Sequence, residues 1–219
     1  MRDRKFICFI GIDGSGKTTL AKSVVRALSE KDSFVYVHSL IEARLLKPFM
    51  KLGRWVFAKG KSKEKNYREF SKEKRSRFSK HRILFPFYKF LLFLDYTPQV
   101  FRRVALPLLR GKKLVSDRYV YDTLINMGLN ISYDASRIAK SINAFFRFFP
   151  RPDITFLIDV PEEVAFSRKD DIPDIEYLRE RRHIYLELAE IFHMHILDGT
   201  KPLKVLTQEV LEKMRRSGE

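Results

Sequence analysis

The chain has 219 residues, 45% of them hydrophobic, which is enough for a sizeable core. Its one cysteine, Cys8, excludes an intrachain disulfide framework, and Lys89 and Asp95 break the richest apolar stretch short of the ~18 residues a membrane span needs. The formal charge of +16 is concentrated in one place: residues 51–82 carry thirteen Lys and Arg against three Glu.

Residues 6–10 are a short, wholly apolar run, as expected of a central parallel strand covered on both faces. Cys8 reads there as a buried strand thiol. A strand beginning so early leaves no room for a signal peptide, and a reducing, cytoplasmic location is the default expectation. A glycine-rich turn follows, then a predicted helix over 18–28 with Leu20, Val24 and Leu28 on one face. Further strands are predicted at 34–37, at 114–116 ending on Asp117, at 154–158 closing at Asp159, and at 195–197 closing at Asp198. Helical segments are predicted between the strands, among them 135–148, 161–168, 175–193 and 203–215. Strand–helix alternation of this kind implies a three-layer α/β fold, a parallel five-stranded sheet with helices on both faces. Ligands of such sheets gather at the carboxyl ends of the strands. No internal repeat or Gly/Ser/Pro linker divides the chain, so a single domain over 1–219 is expected.

Gly11-Ile12-Asp13-Gly14-Ser15-Gly16-Lys17-Thr18 satisfies G-x-x-x-x-G-K-[ST] in full. Glycines let the backbone curl so that successive N–H groups point inward at phosphate oxygens, and the following helix adds its positive N-terminal dipole. Lys17 is expected to bridge the β- and γ-phosphates of a nucleoside triphosphate, and the Thr18 hydroxyl to ligate magnesium. The strand before the loop and the amphipathic helix after it argue against an ordinary glycine turn. This is the P-loop NTPase signature, and ATP is the expected phosphoryl donor. Ser116-Asp117-Arg118-Tyr119 closes another strand on the same edge. By itself Asp-Arg is a common surface pair; beside a phosphate loop, the aspartate can hold magnesium through water and the arginine can grip a phosphate.

With these two motifs the sequence resembles the thymidylate kinase family. Phe9 to Thr19 looks like that family's opening signature, including the aspartate inside the loop, and Ser116-Asp117-Arg118-Tyr119 looks like its Asp-Arg-Tyr motif. Pro161-Glu162-Glu163 resembles its approach to the lid, and Arg181-Arg182 with Tyr185 to Ala189 resembles the helix leaving it. Asp198-Gly199-Thr200-Lys201-Pro202 is similar to the loop that packs on adenine. The resemblance implies an ATP-dependent nucleoside monophosphate kinase that makes dTDP from dTMP. It implies ATP contacts at Gly11, Asp13, Gly14, Ser15, Gly16, Lys17, Thr18, Thr19, Gly199 and Thr200. The acceptor falls to Asp13, Arg118, Tyr119 and Gln99, and Mg2+ to Thr18 and Asp117. Lys17, Asp13, Arg118 and Arg168 form the catalytic set. Arg168, with Lys169 beside it, belongs to a short lid at about 168–177, a natural source of transition-state charge because the loop itself carries no arginine.

Several positions depart from the family's pattern. Ile10 stands where a glutamate is frequent, His38-Ser39-Leu40 replace an Arg-Glu-Pro stretch, and Thr97 replaces an arginine ahead of Gln99. Asp122 and Asn126-Met127 stand in place of a serine and a Tyr-Gln pair, and the lid holds Asp170, Asp171 and Asp174 with few arginines. These changes keep open a same-fold kinase for a different phosphorylated or hydroxylated acceptor. The 51–82 insertion, helical or flexible, interleaves its cations with Trp55, Phe57, Tyr67, Phe70 and Phe78. It fits solvated helices over the acceptor site, a nucleic-acid surface in a nucleotide-controlled binding module, or an anionic membrane surface. A homodimer is an open option for assembly. The aromatic clusters Phe145-Phe146 and Phe148-Phe149 and the apolar run 91–94 are expected in the core. His193 and His195 are expected to alternate into a strand, and no zinc site is assigned among the histidines.

Overall fold

A computed structural model describes residues 6–29, 33–39 and 85–216. At the centre lies β1 (Phe6–Ile10), all five residues buried because helices cover both sides of the sheet. Alternation along β1 sends its side chains into two separate cores. Phe6, Cys8 and Ile10 pack on one face, Ile7 and Phe9 on the other.

After β1 the chain runs through α1 (Lys17–Ser29), β2 (Phe34–His38), α2 (Phe85–Val100), a π-helical turn (Phe101–Ala105) and a short α3 (Leu106–Leu109). It continues with β3 (Lys113–Asp117), α4 (Val120–Asn130), α5 (Ala135–Phe145), β4 (Ile154–Asp159) and α6 (Glu162–Ser167). The described chain closes with α7 (Ile175–Ile191), β5 (His195–Asp198) and α8 (Leu203–Arg216). Leu20 and Val24 of α1 and Leu206 and Val210 of α8 fill the core on one side of the sheet. Leu124 of α4, Ile138 of α5 and Leu188 of α7 fill the other, together with Tyr96 and Val104 from α2 and the π-turn.

The strands are all parallel, in the order β2-β3-β1-β4-β5. Phe9 of β1 stands in register with Asp117 of β3, and His38 of β2 with the same Asp117 from the far side. The carboxyl ends of β2, β3 and β1 therefore form one ledge. The three-layer fold and all five predicted strands are present.

Several expectations change. Helix α4 is a continuous element that the sequence pattern does not delimit, because it is buried nearly all round and shows no polar face to mark a period. The helix predicted over 135–148 stops at Phe145, and the chain turns so that Phe149 is buried while Phe148 is 72% exposed. Phe148 is therefore not a core residue. Leu91 and Phe93 pack against the core, whereas Leu94 faces outward. The helix predicted to reach 193 ends at Ile191, and His193 takes a left-handed φ of 51° in the turn after it. His193 thus lies outside β5 and does not alternate with His195. The basic segment 51–82 lies outside the described residues. Among those described, no helix is long and apolar enough to cross a membrane.

The buried wall of α4 generates a stability test. Leu124 is 1% exposed and Leu109 is 77% exposed. Leu124→Ala should cost about 2–5 kcal/mol in denaturant unfolding. Leu109→Ala should stay within about 0.5 kcal/mol of the parent.

Candidate active site

The phosphate loop leaves β1 and enters α1, with Gly11, Gly14 and Gly16 all at positive φ. Gly14, at φ +82°, has a further reason to be glycine: a Cβ there would collide with the main-chain carbonyl of Ala165 in α6. The loop is thus wedged between its own helix and the start of the lid-side chain. Thr18 and Thr19 are exposed in the first turn of α1, while Ser15 is buried. Lys17 is also buried, its Nζ donating to the Ile12 carbonyl at 2.5 Å, with Ser15 Oγ at 3.4 Å. Burial lowers its pKa to about 8, Arg118 adds to the effect, and nearby aspartates offset part of it.

Asp117 ends β3 with no exposed surface. Its Oδ2 accepts from Thr18 Oγ1 at 2.5 Å and Tyr36 OH at 2.9 Å, and lies 3.1 Å from His38 Nδ1. Its Oδ1 is buried with no hydrogen-bond partner among the described residues. A buried carboxylate oxygen left unmet costs about 1–3 kcal/mol unless something positive comes to it. Thr18 donates its proton to Oδ2, which leaves its oxygen lone pairs available. An anionic oxygen and a hydroxyl oxygen side by side are hard donors of the kind Mg2+ takes, so the residues fit that ion.

Arg118 follows at φ 66°, a conformation that costs a non-glycine residue of order 1–3 kcal/mol. Its main-chain N–H donates to the Phe9 carbonyl at 2.9 Å, locking the end of β3 onto the end of β1. The guanidinium bonds Asp13 Oδ1 of the phosphate loop and stands 3.7 Å from Asp122 Oδ1. Burial tends to raise the Asp13 pKa, but the charge and hydrogen bond of Arg118, helped by Lys17, hold it below the usual carboxylate range. Asp122, fully buried in α4, goes the other way: burial raises its pKa against the pull of Arg118 and Lys17. Tyr185 OH donates to Asp122 Oδ1 at 2.6 Å, and the Tyr119 N–H to Oδ2 at 3.3 Å.

On the opposite side, Arg168 ends α6 and donates to the Gly199 carbonyl through both terminal nitrogens at 3.4 Å. Thr200 is held by Asp198 through its N–H at 3.0 Å and its hydroxyl at 2.6 Å. Lys169 pairs with Asp171 at 3.0 Å. The segment at 168–177 is anchored in its middle by buried Ile172, and Asp174 caps α7 by accepting from the Glu176 N–H.

The structure thus brings Asp13, Lys17, Thr18, Asp117 and Arg118 together, with Arg168 on the Gly199–Thr200 loop. Two expected residues make other bonds. Tyr119 is fully buried, its ring edge-on to Phe6 and its hydroxyl donating to the Pro150 carbonyl at 3.1 Å. Its side chain anchors the core and does not present itself to an acceptor. Gln99 donates to the Asp95 carbonyl one turn back in α2 at 2.9 Å, as Thr97 does to Phe93 at 2.7 Å.

Other groups at the site are not assigned to it by the sequence reading. Tyr36 and His38 reach Asp117 from β2, and their i, i+2 spacing beside a strand ending in aspartate is the signal that could have found them. Tyr177 OH lies 3.5 Å from Asp13 Oδ2, and Arg181 stacks on the Tyr177 ring at 3.4 Å while donating to Asn126 Oδ1 at 3.1 and 3.2 Å. Arg182 forks onto Asp159 at 2.7 and 2.9 Å and reaches Glu162 at 2.8 Å, tying α7 to β4 and α6. Met127, the neighbour of Asn126, is buried in the core.

A parallel sheet of this order, with a complete phosphate loop facing an Asp-Arg pair on the next strand, defines a P-loop phosphotransferase. The family model described as thymidylate kinase matches residues 59–210. A probable thymidylate kinase of Metallosphaera sedula is 30% identical over 212 residues, covering 92% of this chain and 88% of that protein. One from Archaeoglobus fulgidus is 30% identical, covering 91% and 89%, and a thymidylate kinase of Kosmotoga olearia is 28% identical, covering 95% and 94%. The chain belongs to the thymidylate kinase family.

Lys17 gives the site a pH signature. Its pKa is near 8 in the free protein, and a bound phosphate raises it by favouring the charged form. Between the two values, binding must take up a proton, so affinity falls as pH rises. From pH 7 to pH 9 the dissociation constant of a nucleoside triphosphate should rise about tenfold. Calorimetry near pH 9, in two buffers of different ionisation enthalpy, should register uptake of about one proton. A flat profile without uptake would contradict the burial-driven shift.

Proposed function

We propose that the chain transfers the γ-phosphoryl group of Mg-ATP to dTMP, giving dTDP and ADP. The observation carrying this reading is the junction of Asp13 and Arg118: the phosphate loop and the Asp-Arg pair share one ion pair, so donor and acceptor sites abut. Such placement suits direct in-line transfer without a covalent enzyme intermediate, in which positioning and charge stabilisation supply most of the catalysis.

In this scheme the triphosphate lies along the inward-facing N–H groups of residues 11–18, and Lys17 exchanges the Ile12 carbonyl for phosphate oxygens. Thr18 and Asp117 would hold Mg2+, which would supply positive charge to the phosphate groups when bound. Arg118 binds the monophosphate of the acceptor and directs one of its oxygens at the γ-phosphorus, with Asp13 fixing the guanidinium. Arg168, now on the Gly199 carbonyl, shifts onto the transferred phosphoryl as the 168–177 segment closes. Gly199 and Thr200 pack beside the base of ATP. The N–H groups of the loop and the cations together take up the charge that builds on the equatorial oxygens.

The acceptor base is the point where a second reading keeps support. Arg118 is flanked by two carboxylates, and Asn126 is engaged by Arg181. A same-fold kinase for another phosphorylated acceptor fits those positions too.

Steady-state assays with dTMP and the other nucleoside monophosphates separate the two readings. dTMP should give the highest kcat/KM; inactivity on every monophosphate while ATP still binds would refute the proposal. Lys17→Ala should abolish turnover. Arg118→Ala should lower kcat/KM for the acceptor by about two orders of magnitude, as expected for a charge-assisted phosphate contact, with a smaller loss of ATP affinity because Asp13 is left unpaired.

A further inference from the structure

The hydrogen bonds of Asp117 are distributed unevenly. Three groups from two different elements converge on Oδ2, namely Thr18 from α1 and Tyr36 and His38 from β2, and none among the described residues reaches the equally buried Oδ1. A carboxylate free to rotate would share donors between its oxygens, since each offers two lone pairs. His38 faces a carboxylate oxygen, which places its proton on Nδ1.

The β2 pair is itself held in place. The Lys22 ammonium of α1 lies over the Tyr36 ring, 5.7 Å from its centroid. Beyond His38, the Ser39 N–H donates to the Asp117 carbonyl at 3.1 Å and Ser39 Oγ lies in hydrogen-bond contact with Ser116 Oγ at 2.9 Å, carrying the β2–β3 pairing past the strand end.

We infer that Tyr36 and His38 are positioning residues for the divalent cation: they commit Oδ2 of Asp117 to hydrogen bonds and reserve Oδ1 for the metal. The inference rests on the proposed roles of Thr18 and Asp117. Outer groups that orient a ligating carboxylate typically change metal affinity 10–100-fold when removed.

The test uses the full chain, a non-hydrolysable ATP analogue and Mn2+, with free Mn2+ followed by electron paramagnetic resonance. Tyr36→Phe removes only the hydroxyl and should weaken Mn2+ binding to the protein–nucleotide complex about tenfold. Affinity for the analogue in EDTA should stay within about twofold, because the loop N–H groups and Lys17 hold the phosphates. His38 is 45% exposed; His38→Ala should weaken Mn2+ binding comparably, and His38→Asn, whose amide can donate from a similar point, should restore most of it. Wild-type Mn2+ affinity in both Tyr36→Phe and His38→Ala overturns the inference alone. A parallel loss of metal-free analogue affinity also overturns it, since that marks general damage to the loop. A wild-type protein that takes up the analogue but no Mn2+ overturns the metal assignment of Thr18 and Asp117 as well.

Discussion

One main-chain hydrogen bond, from the Arg118 N–H to the Phe9 carbonyl, joins the two halves of the site. It extends the β1–β3 pairing past Asp117 and forces Arg118 into a left-handed turn at φ 66°. That turn sets the guanidinium beside Asp13 on the neighbouring loop. Without it, the phosphate loop and the Asp-Arg pair would be separate features of one sheet edge. The strain is tolerated because parallel pairing on both sides of β1 leaves the strand ends little freedom.

Charge accounting explains much of the surrounding chemistry. Lys17 and Arg118 are countered by Asp13, Asp117 and Asp122, so the residues of the site are by themselves short of positive charge for a polyanionic ligand. The deficit is what a divalent ion at Asp117 and a guanidinium from the far side would make good. Burial sharpens every term, lowering the Lys17 pKa and raising that of Asp122, while Arg118 stays charged between two carboxylates. A half-buried arginine paired in this way is held in place, which suits its proposed role of orienting a phosphate.

The sequence was most legible where chemistry is local. The phosphate loop is read from eight consecutive residues, and each strand of the sheet announces itself as an apolar run ending in a turn or an aspartate. Legibility failed where tertiary context decides. Tyr119 sits beside Arg118 in the chain, yet the left-handed turn rotates it into the core against Phe6. Gln99 and Thr97 can bond their own helix, and nothing in their spacing reveals that preference. Helix α4 hides its period because nearly all of it is buried, and the Tyr36–His38 clamp exists only once β2 is paired in register with Asp117. Residues that act across elements, such as Arg182 on Asp159 and Glu162, carry no signal in a single segment.

The crowding of Gly14 against Ala165 reaches further than a glycine preference. No side chain fits at position 14 without displacing α6, so this loop is closed to an arginine of its own at that point. A cation built into the loop would press on the phosphates throughout every cycle. One delivered by Arg168, in its proposed role, would arrive and depart with its segment. With the roles proposed above, the steric block makes catalytic charge a matter of timing, and a nucleotide waiting alone in the loop is spared wasteful hydrolysis until its partner is aboard.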